Sequence, residues 1–200
     1  MTANPNALLH RRDVVNELLR DRADLLVIAG LGAPNWDVTA AGDHPNNFPL
    51  WGAMGSAAMI GLGLALAQPS RRVLVITGDG EMLMALGALA TIAVQKPANL
   101  TVCVLDNERF GETGMQKTHT AHGIDLAGIA KAAGFPASLL VRKADEVTKL
   151  RDLAHSGAGP VFAQVKIDPE ALPFVLPPAE GGILKNRFRS AVLGEDALYN

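Results

Sequence analysis

Two short polar signals punctuate the apolar middle of the chain. Gly78-Asp79-Gly80 follows the run "RVLVIT", and Asp106-Asn107 closes the run "NLTVCVL". Glycines between a strand and a helix let the backbone turn tightly and approach a ligand. The free N–H groups of a helix start attract an anion such as a diphosphate. A bare carboxylate beside a diphosphate repels it, and a divalent cation between them removes the conflict. Magnesium takes about six oxygens, from one or two protein side chains plus phosphate and water. Asp79 supplies one oxygen, the Asn107 amide carbonyl a second, and a backbone carbonyl just beyond Asn107 a third. A lone Gly-Asp-Gly turn is common in loops. Two such strand ends, separated by one buried helix and one strand, carry far more information.

The elements that position them read as an alternation. Short continuous apolar runs at 25–30, 72–80, 99–107, 138–143 and 160–168 have the form of parallel strands covered on both faces. Helical patterns occupy 11–20, 54–67, 81–95, 125–133 and 144–155. Those at 54–67 and 81–95 are apolar nearly all round, which predicts burial. The alternation predicts an α/β fold with three αβα layers around a doubly wound, mainly parallel sheet. Ligands in such sheets sit beyond the carboxyl ends of the strands. Three ends are chemically loaded: "GLGAPNW", "TGDGE" and "DNERFGETG". Polar residues after Asn107, namely Glu112, Thr113, Gln116, Lys117 and His119, are expected in a substrate lid, where Lys117 or His119 could meet an anion. His119 and His122 lack further ligands for a zinc site. Residues 1–168 read as one domain. Pro169, Pro173, Pro177 and Pro178 then break regular structure, and the tail 169–200 is expected to add a short helix that packs on the domain or on a partner.

The chain has 200 residues, 48% hydrophobic and 19% charged, which suits a globular core and not a disordered chain. A net charge of −2 gives no case for nucleic acid or an anionic membrane. One cysteine, Cys103, excludes an internal disulfide framework and a four-thiolate cluster. The N-terminus lacks a leader pattern, and the apolar runs 53–67 and 82–94 are too short and too rich in Gly and Ala to span a membrane. A cytoplasmic protein is expected.

Gly78-Asp79-Gly80 followed by Asp106-Asn107 resembles the signature of thiamine diphosphate enzymes, in their diphosphate-binding half. The stretch "PLWGAMGSAAMIGLGLALAQPSRRVLVITGDG" is similar to the one that runs into this turn in the 2-oxoacid decarboxylases. The resemblance covers about residues 25–167. It is nearest to the sulfopyruvate and phosphonopyruvate decarboxylases, and it implies their cofactors, thiamine diphosphate and Mg2+. Asp79, Asn107 and the backbone oxygen of Arg109 would ligate the metal. Gly78 and the amides of Gly80 and Glu81 would face the diphosphate, with Phe110 and Gly111 close by. Met54 falls where the family has a bulky wedge beneath the cofactor, and the Gly52 carbonyl would accept from the cofactor's amino group; these two are the catalytic candidates. Gly32, Ala33 and Asn35 would reach the cofactor from the first strand. Glu81 departs from the small hydroxyl residue often found there, so only its backbone is assigned.

The resemblance also implies a missing half. In the family, the glutamate that activates the cofactor lies on a separate pyrimidine-binding domain. The expected partner is therefore an α-type subunit carrying that domain and glutamate, in a hetero-oligomer such as α2β2 or larger. The expected reaction is non-oxidative release of CO2 from a small 2-oxoacid, a 3-sulfo- or 3-phosphono-pyruvate. A carboligase of acetolactate-synthase type and a non-catalytic nucleotide-binding module remain open on the sequence.

Overall fold

The computed structural model describes residues 8–199. The leader reading of the first seven residues and the last residue of the tail lie outside that range. Six strands form one sheet in the order β2-β1-β3-β4-β8-β7. They are β1 (Leu26–Ala29), β2 (Asn47–Pro49), β3 (Val73–Gly78), β4 (Leu100–Asp106), β7 (Ala137–Val141) and β8 (Val161–Lys166). Every pairing is parallel. β1 and β4 are buried along their whole length, and β3 is buried up to its final glycine. That is why these strands read as continuous apolar runs without alternation.

Helices cover both faces. Val14, Val15 and Leu18 of α1 (Arg11–Leu19), Val38 of α2 (Ala33–Ala40) and Val147 and Leu150 of α7 (Ala144–Ser156) close one core with Val27, Leu74, Cys103 and Val165. On the other face, α3 (Ala57–Ala67), α4 (Asp79–Met84), α5 (Leu86–Gln95) and α6 (Leu126–Ala133) pack on Ile28, Val75, Val102 and Phe162. The Asp125 carboxylate accepts from Gly128 N at 2.8 Å and caps α6.

The structure corrects the sequence reading in four places. α2 and β2 carry no clear apolar period and were not expected; β2 is three residues long and ends on Pro49, as edge strands tolerate. The helix read at 54–67 begins only at Ala57, because Ala53 and Gly55 take positive φ values of 58° and 95° and hold Met54 in a turn. The helix read at 81–95 starts two residues early and breaks at Ala85. Finally, the expected burial of these two stretches holds for only one side of each helix. Met59 and Leu66 on α3 are 40% and 49% exposed, and Val94 on α5 is 75% exposed.

Beyond β8 the chain crosses the carboxyl edge of the sheet without regular structure. Asp168 N donates to Leu9 O at 2.9 Å, and Arg12 donates to the Pro173 carbonyl. Phe174 meets Trp36 edge-on, and Trp51 Nε1 donates to Pro178 O at 3.0 Å. α8 (Gly181–Leu193) follows and stacks Phe188 on Phe48 of β2, ring centroids 5.0 Å apart.

Candidate active site

From β1 the chain runs outward to β2, and from β3 it runs the other way to β4. The crevice between these divergent connections is where doubly wound sheets bind ligands. Asp79 stands at the head of α4, 2% exposed, directly beyond β3. The Thr118 hydroxyl donates to its Oδ2 at 2.5 Å. Thr120 Oγ1 lies 3.1 Å from the same oxygen and 2.7 Å from Asp106 Oδ1, so its single proton serves two carboxylates. Asp106, the last residue of β4, also accepts from Gln164 Nε2 at 2.6 Å and from Lys166 Nζ at 2.9 Å. Lys166 Nζ in turn lies 2.5 Å from Glu108 Oε1. Burial pushes the Asp79 carboxyl up to about 6; the Thr118 hydrogen bond opposes this and the neighbouring Asp106 adds to it.

Asn107 follows at the end of β4. Its Oδ1 accepts from Arg109 N at 2.9 Å, which fixes the amide and leaves that oxygen a second lone pair. Glu108, at φ 61°, turns the chain into the small antiparallel ribbon of β5 (Arg109–Phe110) and β6 (Gln116–Lys117). That ribbon lays the Phe110 ring on Gly80. A Cβ at position 80 would sit 2.7 Å from the ring, so this glycine is required by close approach.

Glu81 points away from the Asp79 side and has its own work. Its Oε2 accepts from Leu31 N at 3.0 Å and from Thr77 Oγ1 at 2.8 Å. Its Oε1 accepts from Gly55 N at 3.1 Å and Ala57 N at 3.3 Å, at the start of α3. One buried carboxylate thus ties the end of β1, the Met54 turn and the diphosphate turn together. Gly30 makes room for it, since a Cβ there would fall 2.1 Å from Oε2.

A cavity of about 460 Å³ opens over these strand ends. Of the residues assigned from sequence, Ala33, Met54, Gly78, Asp79, Gly80, Glu81, Asn107, Arg109, Phe110 and Gly111 line it. Gly32, Asn35 and Gly52 do not. Asn35 is buried and donates its Nδ2 to the Leu50 carbonyl instead, and Gly52 is exposed beside the start of α8. Glu112 and Thr113 of the expected lid line the cavity, whereas Gln116, Lys117 and His119 are exposed away from it. The structure adds Arg11, Trp36, Met115, Glu170 and Phe174 to the wall, and Thr118 and Thr120 behind Asp79. No sequence signal marks the two threonines, whose shared partner Asp79 lies 39 and 41 residues away. Arg11 does leave one, a charge on the apolar stripe of α1.

Among the described residues, no three His, Cys, Asp or Glu side chains converge as a metal cluster. The cavity wall holds instead one desolvated carboxylate, Asp79, and one oriented amide, Asn107. That set fits magnesium that takes its remaining oxygens from a diphosphate and water.

Residues 36–165 match the model of the thiamine pyrophosphate enzyme C-terminal TPP binding domain. The chain belongs to this family. The cofactor of this family is thiamine diphosphate, with Mg2+ as its usual metal. The β subunit of sulfopyruvate decarboxylase from Methanothermobacter thermautotrophicus is 42% identical over 162 residues, covering 81% of this chain and 84% of that one. Phosphonopyruvate decarboxylase from Streptomyces viridochromogenes is 36% identical over 85% of this chain, which spans 42% of that protein. Among solved structures, benzoylformate decarboxylase from Polynucleobacter necessarius superposes with a TM-score of 0.67 over 86% of this chain and 35% of its own, at 22% identity. That likeness concerns the fold.

Among the described residues, no helix is long and apolar enough to cross a membrane.

Proposed function

We infer that this chain is the diphosphate- and magnesium-binding subunit of a cytoplasmic thiamine-diphosphate 2-oxoacid decarboxylase acting on 3-sulfopyruvate or 3-phosphonopyruvate. The observation that carries this reading is Asp79 and Asn107 converging on one cavity in a chain similar to a sulfopyruvate decarboxylase β subunit. When bound, thiamine diphosphate supplies the carbanion and the electron sink that such a decarboxylation needs. Asp79, Asn107 and the Arg109 carbonyl would hold the magnesium. Thr118 orients the Asp79 carboxylate, so that its geometry is set before the metal arrives. The amides of Gly80 and Glu81 would receive the diphosphate. Met54, raised by the strained turn at Ala53, stands at the cavity wall where a wedge would support the cofactor rings. Gly32, Asn35 and Gly52 stand outside this cavity wall, so no contact with the cofactor is assigned to them.

The reading includes an α-type partner that carries the pyrimidine-binding domain and its glutamate. The name of the relative, a subunit β, supports it. So does the surface. α3 has no charged residue in "AAMIGLGLALA" and α5 has none in "LGALATIAVQ", yet both present Met59, Leu66 and Val94 outward. Exposed apolar side chains on two neighbouring uncharged helices suit a surface that a protein partner covers. Residues 1–168 would form the cofactor-binding unit, and 169–200 its strap and terminal helix.

Asp79→Ala and Asn107→Ala, each assembled with the partner, should lose thiamine diphosphate binding by at least tenfold in calorimetry with MgCl2. Both should also lose aldehyde release from 3-sulfopyruvate. Unchanged cofactor binding in both variants would sink the reading, and formation of a C–C product in place of the aldehyde would replace it by a carboligase.

A further inference from the structure

Arg11 is a charged residue in an apolar position. It begins α1 and shares that helix's buried face with Val14, Val15 and Leu18. Its side chain is only 9% exposed, and its Nε lies 3.1 Å from Asp37 Oδ2. Nε is sealed from solvent and makes no hydrogen bond, so the contact is charge against charge. The two terminal nitrogens donate no hydrogen bond among the described residues, and they are not among the sealed atoms. Arg11 lines the same cavity as Asp79 and Asn107. A guanidinium this desolvated ordinarily has its donors spent on protein acceptors. Here the fork is left for something else.

The local charge count agrees. Arg12 also faces Asp37, with Nε 3.3 Å from Oδ1, so one buried carboxylate meets two guanidinium groups. Glu170 shares the cavity wall; its Oε2 is engaged by His10 Nδ1 at 3.1 Å, while its Oε1 is sealed without a hydrogen bond. Asp79, Glu112 and Glu170 would repel an anion entering this cavity, so the anion needs a cation in its path. Arg109 lines the wall too, but its Nη1 donates to the Glu108 carbonyl at 2.9 Å. Lys117 and His119 face away.

We propose that Arg11 is the anion receptor of this cavity, its terminal nitrogens forking onto a phosphate, phosphonate or sulfonate group. The group is either the terminal phosphate of the cofactor or the acidic tail of the substrate. Both present a tetrahedral oxyanion that a planar guanidinium grips with parallel N–H bonds. The assignment rests on the function inferred above and names the side chain that the sequence had sought in Lys117 and His119.

The test is calorimetric titration of the full chain in MgCl2 with two probes, inorganic pyrophosphate and 3-phosphonopropionate. The latter is an unreactive stand-in for the substrate. Wild type is compared with Arg11→Met, Arg11→Lys and Asp79→Ala. Arg11→Met should weaken at least one probe tenfold or more. Loss confined to pyrophosphate places Arg11 on the cofactor, and loss confined to 3-phosphonopropionate places it on the substrate. Arg11→Lys keeps the charge facing Asp37 but not the fork. It should fold as wild type by melting and still bind the affected probe at least threefold more weakly, which decides the matter if Arg11→Met unfolds. Wild-type affinity for both probes in Arg11→Met or Arg11→Lys overturns the proposal, as does a wild type that binds neither. Asp79→Ala separates the two readings. If it loses pyrophosphate while the Arg11 variants bind as wild type, the proposal alone fails; if it keeps pyrophosphate, the cofactor reading fails.

Discussion

On one side of the sheet, α1 and α7 turn Asp13, Lys149 and Asp152 to the solvent; on the other, α3 and α5 turn out Met59, Leu66 and Val94. Their inner faces are alike. Leu18 and Leu150 are fully buried under one coat, and Ile92 is fully buried under the other, with Leu62 at 3%. The difference lies entirely on the outside. Burial in this chain explains the inner stripe of every helix, but it does not explain why two adjacent helices lack a single charge over their outer faces. A charged outer face answers to water, and an uncharged one answers to another protein. The cavity opens along the carboxyl edge where the two coats meet, so an occupant of the apolar coat would lie close to the Met54 turn that leads into α3.

The largest effect should come from breaking the charged coat on its inner side. Leu150→Ala should cost about 3 kcal/mol, read as a lower urea midpoint, and leave association with the partner unchanged. A stability loss under 1 kcal/mol would show that α7 is not integral to the core. Next comes the outer face of the apolar coat. Leu66→Lys combined with Val94→Lys should weaken partner association a hundredfold or more, about 2.7 kcal/mol, by sedimentation or co-purification titration. The melting temperature of the separate chain should hold. Intact association would mean that this face is not the docking surface. The smallest effect is the control that sharpens the contrast. Lys149→Ala breaks an ion pair of 3.6 Å whose members are 71% and 69% exposed. It should change stability by less than about 0.5 kcal/mol and leave association unchanged.

The sequence was most informative where apolar runs stop abruptly. Asp79 and Asn107 were legible because each closes a buried strand with a polar group that the strand itself does not need. The parallel sheet and its two-sided cover were legible for the same reason, since β1, β3 and β4 show no alternation. The start of α3 was not, because Met54-Gly55-Ser56 holds no proline or charge to mark a break, and the positive φ of Ala53 and Gly55 delays it. Thr118 and Thr120 were invisible as partners of Asp79, since their position depends on how the β5–β6 ribbon folds back. Lys117 and His119 looked suited to an anion by residue type, yet both are exposed and neither lines the cavity. Arg11 was legible in principle. It heads the row of Val14, Val15 and Leu18, and a charge placed on such a row marks either a buried pair or a site.

Glu81 has a consequence for motion. Its carboxylate accepts from Leu31, Gly55 and Ala57, amides that belong to two segments of chain far apart in sequence. Segments held by one acceptor cannot open independently without leaving that charge short of a partner in a buried place. The end of β1, the Met54 turn and the first turn of α3 should therefore open as a single cooperative unit. Their three amides should share one hydrogen-exchange rate in the wild-type chain and drift to separate rates in Glu81→Gln. Breathing at the cavity mouth then becomes a concerted event with one free energy, rather than the sum of two loosely related loop fluctuations.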